Sequence, residues 1–174
     1  MNARPPLRLR NGFAIFPLVG AAVAVLVGGL TLLGWTLDIV PLTVAIPGGV
    51  AMNPVTAVAA VLAGVALFLS RQEAGLQSRR FGQGFGLLVA LAGAVVLGKY
   101  LFGCDLGLDV ALFRGKLGDN RMAPNTALLF VLIGGTLALL DVPTRTGRWA
   151  AQLLLLPALA LCLAVLVGYS FGVK

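Results

Sequence analysis

Met52 to Leu69 reads MNPVTAVAAVLAGVALFL, and Met122 to Leu139 reads MAPNTALLFVLIGGTLAL. The second run follows the first by 122 − 52 = 70 residues, with Met, Pro, Thr-Ala, Val-Leu, Gly and Leu in register. A repeat of this length means that the chain is assembled from copies of one supersecondary unit. Each copy is an apolar, helix-length run with its own start signal. Pro54 and Pro124 suit the first helical position, where no backbone N–H is needed. Asn53 is a good cap immediately before one of them, and Asn125 follows the other. Thr56 and Thr126 place hydroxyls in the first turn, where free backbone groups need partners. The plain reading of Asn53, Pro54, Thr56, Pro124, Asn125 and Thr126 is structural, a helix start at a membrane edge. A ligand-facing role for the two threonines is the sharper alternative.

Composition places the repeat in lipid. Of 174 residues, 59% are hydrophobic and 11% charged, with a mean hydropathy of +1.00. A soluble domain has roughly 45–50% apolar and about 25% charged residues. Five stretches are nearly free of charge: Phe13 to Leu37, Pro54 to Ser70, Gly84 to Phe102, Pro124 to Leu140, and Trp149 to Val173. About 17–25 residues at ~1.5 Å each cross a ~30 Å hydrocarbon core. The expectation is an all-α integral membrane protein, a five-helix bundle of repeated hairpins. Repeat 1 covers about 13–71, repeat 2 about 81–141, and half of a third about 149–174, within one membrane domain over 1–174. The first stretch is too long for a secretory signal and lacks a small-residue cleavage pattern. Cys104 and Cys162 fall in a loop and mid-helix, which predicts free thiols.

The net charge of +7 and pI near 10.5 need no nucleic-acid partner once the charges are placed. Arg4, Arg8 and Arg10 precede the first stretch; Arg71, Arg79 and Arg80 separate the second and third; Arg145 and Arg148 separate the fourth and fifth. These are alternate loops, so the positive-inside rule puts the N-terminus in the cytoplasm and, after five crossings, Lys174 in the periplasm. A basic cytoplasmic rim also suits anionic headgroups. Small residues at Gly20, Gly28, Gly29, Ala59, Ala63, Ala66, Gly86, Gly93, Gly134 and Ala138 favour close helix packing in lipid.

The absence of histidine removes bis-His haem ligation and most zinc or copper designs. No Asp or Glu falls mid-stretch, which disfavours proton-coupled transport. No nucleophile–base pair, phosphate loop or kinase signature is present. The reading is therefore non-enzymatic, with no metal and no predicted cofactor; a bound lipid, pigment or quinone would leave no residue signature. Met52 and Met122 suit packing better than metal ligation. Lys99 is the one ionisable residue inside an apolar stretch. It either snorkels to the headgroups or pairs with Asp38, Asp105 or Asp109, so that Asp38, Lys99, Asp105, Asp109 and Arg114 form a candidate outer-face polar cluster. The loop from Gly103 to Arg121 reads as an interfacial linker in which Asp109 caps a short helical turn. A periplasmic recognition element is the alternative.

GWTLDI (Gly34 to Ile39), the MNPVTA and MAPNTA starts, and YLFGCDLGLDVALF (Tyr100 to Phe113) together resemble a known family region. It is the N-terminal multi-helix membrane region found ahead of PAS, histidine kinase or diguanylate cyclase modules in bacterial sensor proteins. The resemblance runs from about Phe13 onward. It implies a membrane input module in the bacterial inner membrane, signalling as a dimer through a cytoplasmic effector, and it supplies no ligand. No effector follows in this sequence, and the expected periplasmic C-terminus could not carry one. The expectation is a truncated or free-standing sensory input module. The alternative is an accessory or assembly subunit of a larger respiratory or photosynthetic membrane complex. The partners expected are membrane lipids and either other membrane subunits or a second copy.

Overall fold

Two proline-started helices and the long helices that precede them build two antiparallel hairpins. The computed structural model describes residues 7–44, 49–71, 74–140, 142 and 145–171. Arg4 and Lys174, which enter the charge argument, lie outside the described residues, as do the side chains of Arg8, Arg10, Arg145 and Arg148. In chain order the elements are α1 (Leu7–Leu37), α2 (Val40–Thr43), α3 (Pro54–Leu69), α4 (Leu76–Phe102), a 3-10 turn (Leu108–Val110), α5 (Arg114–Leu117), α6 (Pro124–Leu139) and α7 (Arg145–Ser170). The described residues contain no strand.

Three helices are long and apolar enough to cross a membrane, over Ile15–Leu37, Leu76–Phe102 and Trp149–Gly168. They extend beyond the apolar stretches: α4 begins at Leu76, eight residues before Gly84. Arg, Gln and Ser tolerate helix well, and continuing the helix keeps backbone groups bonded as the chain leaves lipid. Helices α3 and α6 are shorter, at 16 residues each. That is about 24 Å at ~1.5 Å per residue, less than the ~30 Å hydrocarbon core. Their prolines sit in the first turn of each, where no intrahelical N–H bond is lost.

Helix α1 packs antiparallel to α3, and α4 antiparallel to α6. Glycine makes both crossings possible. A Cβ at Gly28 would come within 2.6 Å of the Ala57 carbonyl oxygen, and one at Gly93 within 2.6 Å of the Ala127 carbonyl oxygen. On the partner helices, Gly64 faces the backbone of Ala21, and Gly134 faces that of Ala90 and Gly86. These pairs reveal a structural repeat with two offsets. The long helices correspond at 93 − 28 = 65 and 86 − 21 = 65, the proline-started helices at 127 − 57 = 70 and 134 − 64 = 70. The second inter-helix connection is therefore 70 − 65 = 5 residues longer. The 65-residue offset reaches the helix ends, where Asp38 (φ 58°) and Gly103 (φ 72°), 103 − 38 = 65 apart, both adopt the left-handed conformation.

Helix α7 packs on α6 in the way that α4 packs on α3. Gly82 of α4 faces Ser70 and Ala66; Ala151 of α7 lies beside Thr136 and Leu140, displaced by 69 and 70 residues respectively. The core lies where α3, α4 and α6 meet, formed by Val55, Ala59, Val89, Val96, Met122, Ala127 and Phe130. Leu108 of the 3-10 turn packs against it. The segment between α4 and α6 is thus drawn onto the bundle.

Candidate functional site

The polar side chains gather at the end of the bundle where α1 and α4 finish and α3 and α6 begin. In α3 the start chemistry works as the sequence suggests: Asn53 is the cap, and its Oδ1 accepts from Val55 N at 2.9 Å. Pro54 and Pro124 occupy the first turns of α3 and α6. The second copy differs, because Ala123 stands at the cap position and Asn125, exposed, accepts only from the adjacent Thr126 N–H at 2.9 Å. Thr56 and Thr126 are half-buried, and neither hydroxyl makes a hydrogen bond among the described residues. The sequence reading of threonine as a first-turn partner therefore gives way to asparagine.

Above these starts the segment from Gly103 to Ala123 forms a cap. Asn53 is 4% exposed, and its Nδ2 donates to the Asp109 carbonyl at 2.9 Å and to the Asn120 carbonyl at 3.4 Å. Asn120 Nδ2 donates in turn to the Ala51 carbonyl at 2.7 Å. Two aromatics tie the long helices to the starts that follow them. Trp35 Nε1 donates to the Met52 carbonyl at 2.9 Å, and Tyr100 Oη to the Met122 carbonyl at 2.7 Å. These are the same tie in both copies, with donors 100 − 35 = 65 apart and acceptors 122 − 52 = 70 apart. Thr31 Oγ1 reaches Met52 Sδ at 3.6 Å, while Met122 is 1% exposed within the core.

The expected polar cluster divides in two. Lys99 Nζ lies 2.9 Å from Asp105 Oδ2 and 3.3 Å from Asp109 Oδ2. Asp109 is 1% exposed and sits within the 3-10 turn, so its carboxylate serves Lys99; the cap position of that turn is Gly107, with no side-chain cap bond. Asp38 instead pairs with Lys116, Nζ to Oδ1 at 2.7 Å, on the surface. The Lys116 ammonium also donates to the Trp35 carbonyl at 3.4 Å, and the Trp35 and Phe113 rings stack at 6.2 Å. Arg114 joins neither pair; its Nε donates to the Val110 carbonyl at 3.3 Å. The sequence marks Trp35 and Tyr100 only as aromatics at equivalent outer helix ends and Lys116 only as a loop cation; the ties they make, and that of Asn120, are not readable from it. The matched position of Trp35 and Tyr100 ahead of each Met-x-Pro start was the available signal.

Outside the spans, the carboxyl of Asp105 is shifted by its neighbours. The Lys99 ammonium, and after it the Gly107 N–H at 2.8 Å from Oδ1, hold its carboxyl below the usual carboxylate range. An ammonium flanked by two carboxylates is a fastening and offers no free base or nucleophile. Among the described residues, no three His, Cys, Asp or Glu side chains gather where a metal ion could be held. Cys104 and Cys162 are free and exposed. No family model matches the chain, and no curated protein or solved structure is significantly similar to it.

Proposed function

We propose that the chain is a non-enzymatic membrane input module, a five-span bundle whose cap faces the periplasm and couples the two hairpins. In this reading the bundle sits in a bacterial inner membrane with its N-terminus cytoplasmic and its C-terminus periplasmic, and α3 and α6 complete the crossing with help from the capped segments at their starts. The observation that supports it is the shared fastening at the cap. Asn53 from the first hairpin and Lys99 from the second both hold the 3-10 turn around Asp109. Displacing that turn acts on both hairpins at once, and rigid helices transmit the displacement to the opposite end. The basic residues Arg71, Arg79 and Arg80 stand at that end, toward the cytoplasm.

The test replaces Cys104 and Cys162 by serine and places spin labels at Val19 of the first hairpin and Leu140 of the second, both exposed toward the basic end. Their distance distribution is then compared with and without Lys99→Met, in lipid. An input module shifts that distribution when the cap is loosened; an unchanged distribution, with the cap shown to be loosened by hydrogen exchange, sinks the reading. Purification in mild detergent separates it from an accessory subunit, which would come away in fixed stoichiometry with larger membrane proteins.

A further inference from the structure

A cleft of about 180 Å³ opens between α6 and α7 at the basic end of the bundle, lined by Thr136, Leu140, Ala151, Gln152 and Leu155. Its counterpart between α3 and α4 is closed. There Gly82 stands so close that a Cβ would meet Ser70 Oγ at 2.6 Å and the Ala66 carbonyl oxygen at 3.0 Å. Helix α7 carries Ala151 in the equivalent place, 82 + 69 = 151, and α6 carries Thr136 where α3 has Ala66. Ala151 and Thr136 bring a methyl and a hydroxyl to the place where Gly82 and Ala66 meet directly, and the cleft lies beside them.

Gln152 sets the chemistry of the occupant. It is exposed on the span that begins at Trp149 and, among the described residues, makes no hydrogen bond. An amide without a partner at this depth is costly in lipid. Trp149, 58% exposed, suits the headgroup level, and Gln152 lies about 4.5 Å deeper along the helix, where ester carbonyls begin. Arg145 and Arg148 belong to the first turn of α7, and a basic segment beside a span is what anionic lipid phosphates favour. The volume is below the roughly 300–1,000 Å³ of pockets that enclose a drug-sized ligand, which favours a flexible chain over a ring-headed cofactor.

We propose that this cleft seats one phospholipid of the leaflet at the basic end, with an acyl chain between α6 and α7, the Gln152 amide donating to an ester carbonyl, and the phosphate beside the first turn of α7. The full chain is purified in mild detergent, washed extensively, and assayed by native mass spectrometry and extractable phosphorus. The wild type should retain one phospholipid per chain. Gln152→Leu removes the donor without filling the space, and should bind the lipid about three- to tenfold more weakly, the worth of one hydrogen bond. Gln83→Leu, the equivalent change beside the closed α3–α4 junction, should retain it fully. Equal retention in wild type and Gln152→Leu, equal loss in both variants, or recovery of a quinone or other phosphorus-free lipid in its place would overturn the assignment.

Discussion

Asn53 and Asp109 are 56 residues apart in sequence, yet the Asn53 amide donates to the Asp109 backbone carbonyl at 2.9 Å while its oxygen caps α3. One buried side chain thereby fixes both the start of an apolar helix and the position of the turn that holds the ion pair. Its loss is doubly costly. Asn53→Ala removes a cap worth ~0.5–2 kcal/mol and strands buried backbone groups at about 1–3 kcal/mol. We expect Asn53→Ala to destabilise the protein by about 2–4 kcal/mol in a detergent unfolding titration followed by circular dichroism. Asn125→Ala, at the matching start, should stay within ~0.5 kcal/mol, because Asn125 is exposed and bonds only to its neighbour.

Lys99 and Asp109 differ from the other ion pair of the cap by burial. Removing one member of a buried pair leaves an uncompensated charge and costs about 3–5 kcal/mol, whereas an exposed pair contributes ~0.2–1 kcal/mol. Lys99→Met should therefore loosen the cap strongly, seen as faster amide exchange across Leu108–Leu117, whereas Lys116→Met should leave it within experimental error of wild type. The double variant Lys99→Met, Asp109→Leu should recover much of the loss, since it buries no lone carboxylate. Slow exchange in Lys99→Met would mean that the ammonium merely snorkels.

Acid should loosen the same cap. The Asp105 carboxyl is depressed from its ordinary 3.8 by Lys99, so between the two values the unfolded state binds more protons than the folded one. Its stabilising contribution is complete above about pH 4 and is lost as pH falls through the lower, folded value. Trp35 fluorescence, which reports its stacking on Phe113, should be steady from neutral pH down to that point and change below it. Asp105→Asn should flatten part of that change.

The repeat, the apolar helices and the helix starts at Pro54 and Pro124 were legible because periodicity and proline chemistry are local. The second offset was not. The long helices share little sequence: Trp35 and Tyr100 stand at matching outer ends, but Gly28 and Gly93 become equivalent only through what they touch. The partition of the polar cluster was equally hidden. Charge alone placed Asp38, Lys99, Asp105 and Asp109 at one end, but the fold of the intervening cap decides which carboxylate Lys99 meets, and it brings Lys116 to Asp38. An acidic residue before a short helical turn suggests a cap at Asp109; here the pull of a half-buried ammonium outweighs a surface cap.

The glycines divide in the same way between contact and coincidence, and this can be measured. Gly93 and Gly98 stand five residues apart on α4, in the same apolar helix. A Cβ on Gly93 meets the Ala127 carbonyl oxygen at 2.6 Å and Val131 N at 2.9 Å, backbone atoms that cannot swing aside. A Cβ on Gly98 meets nothing within 4 Å. Gly93→Ala must push α6 away from α4 and should cost about 1–3 kcal/mol, the usual range for overpacking. Gly98→Ala should be neutral or stabilising by up to ~1 kcal/mol, because alanine favours helix over glycine. Gly28→Ala, at the equivalent crossing of α1 and α3, should match Gly93→Ala in size. Equal tolerance at Gly93 and Gly98 would show that the α4–α6 crossing is looser than drawn and that the two-offset repeat does not describe the packing.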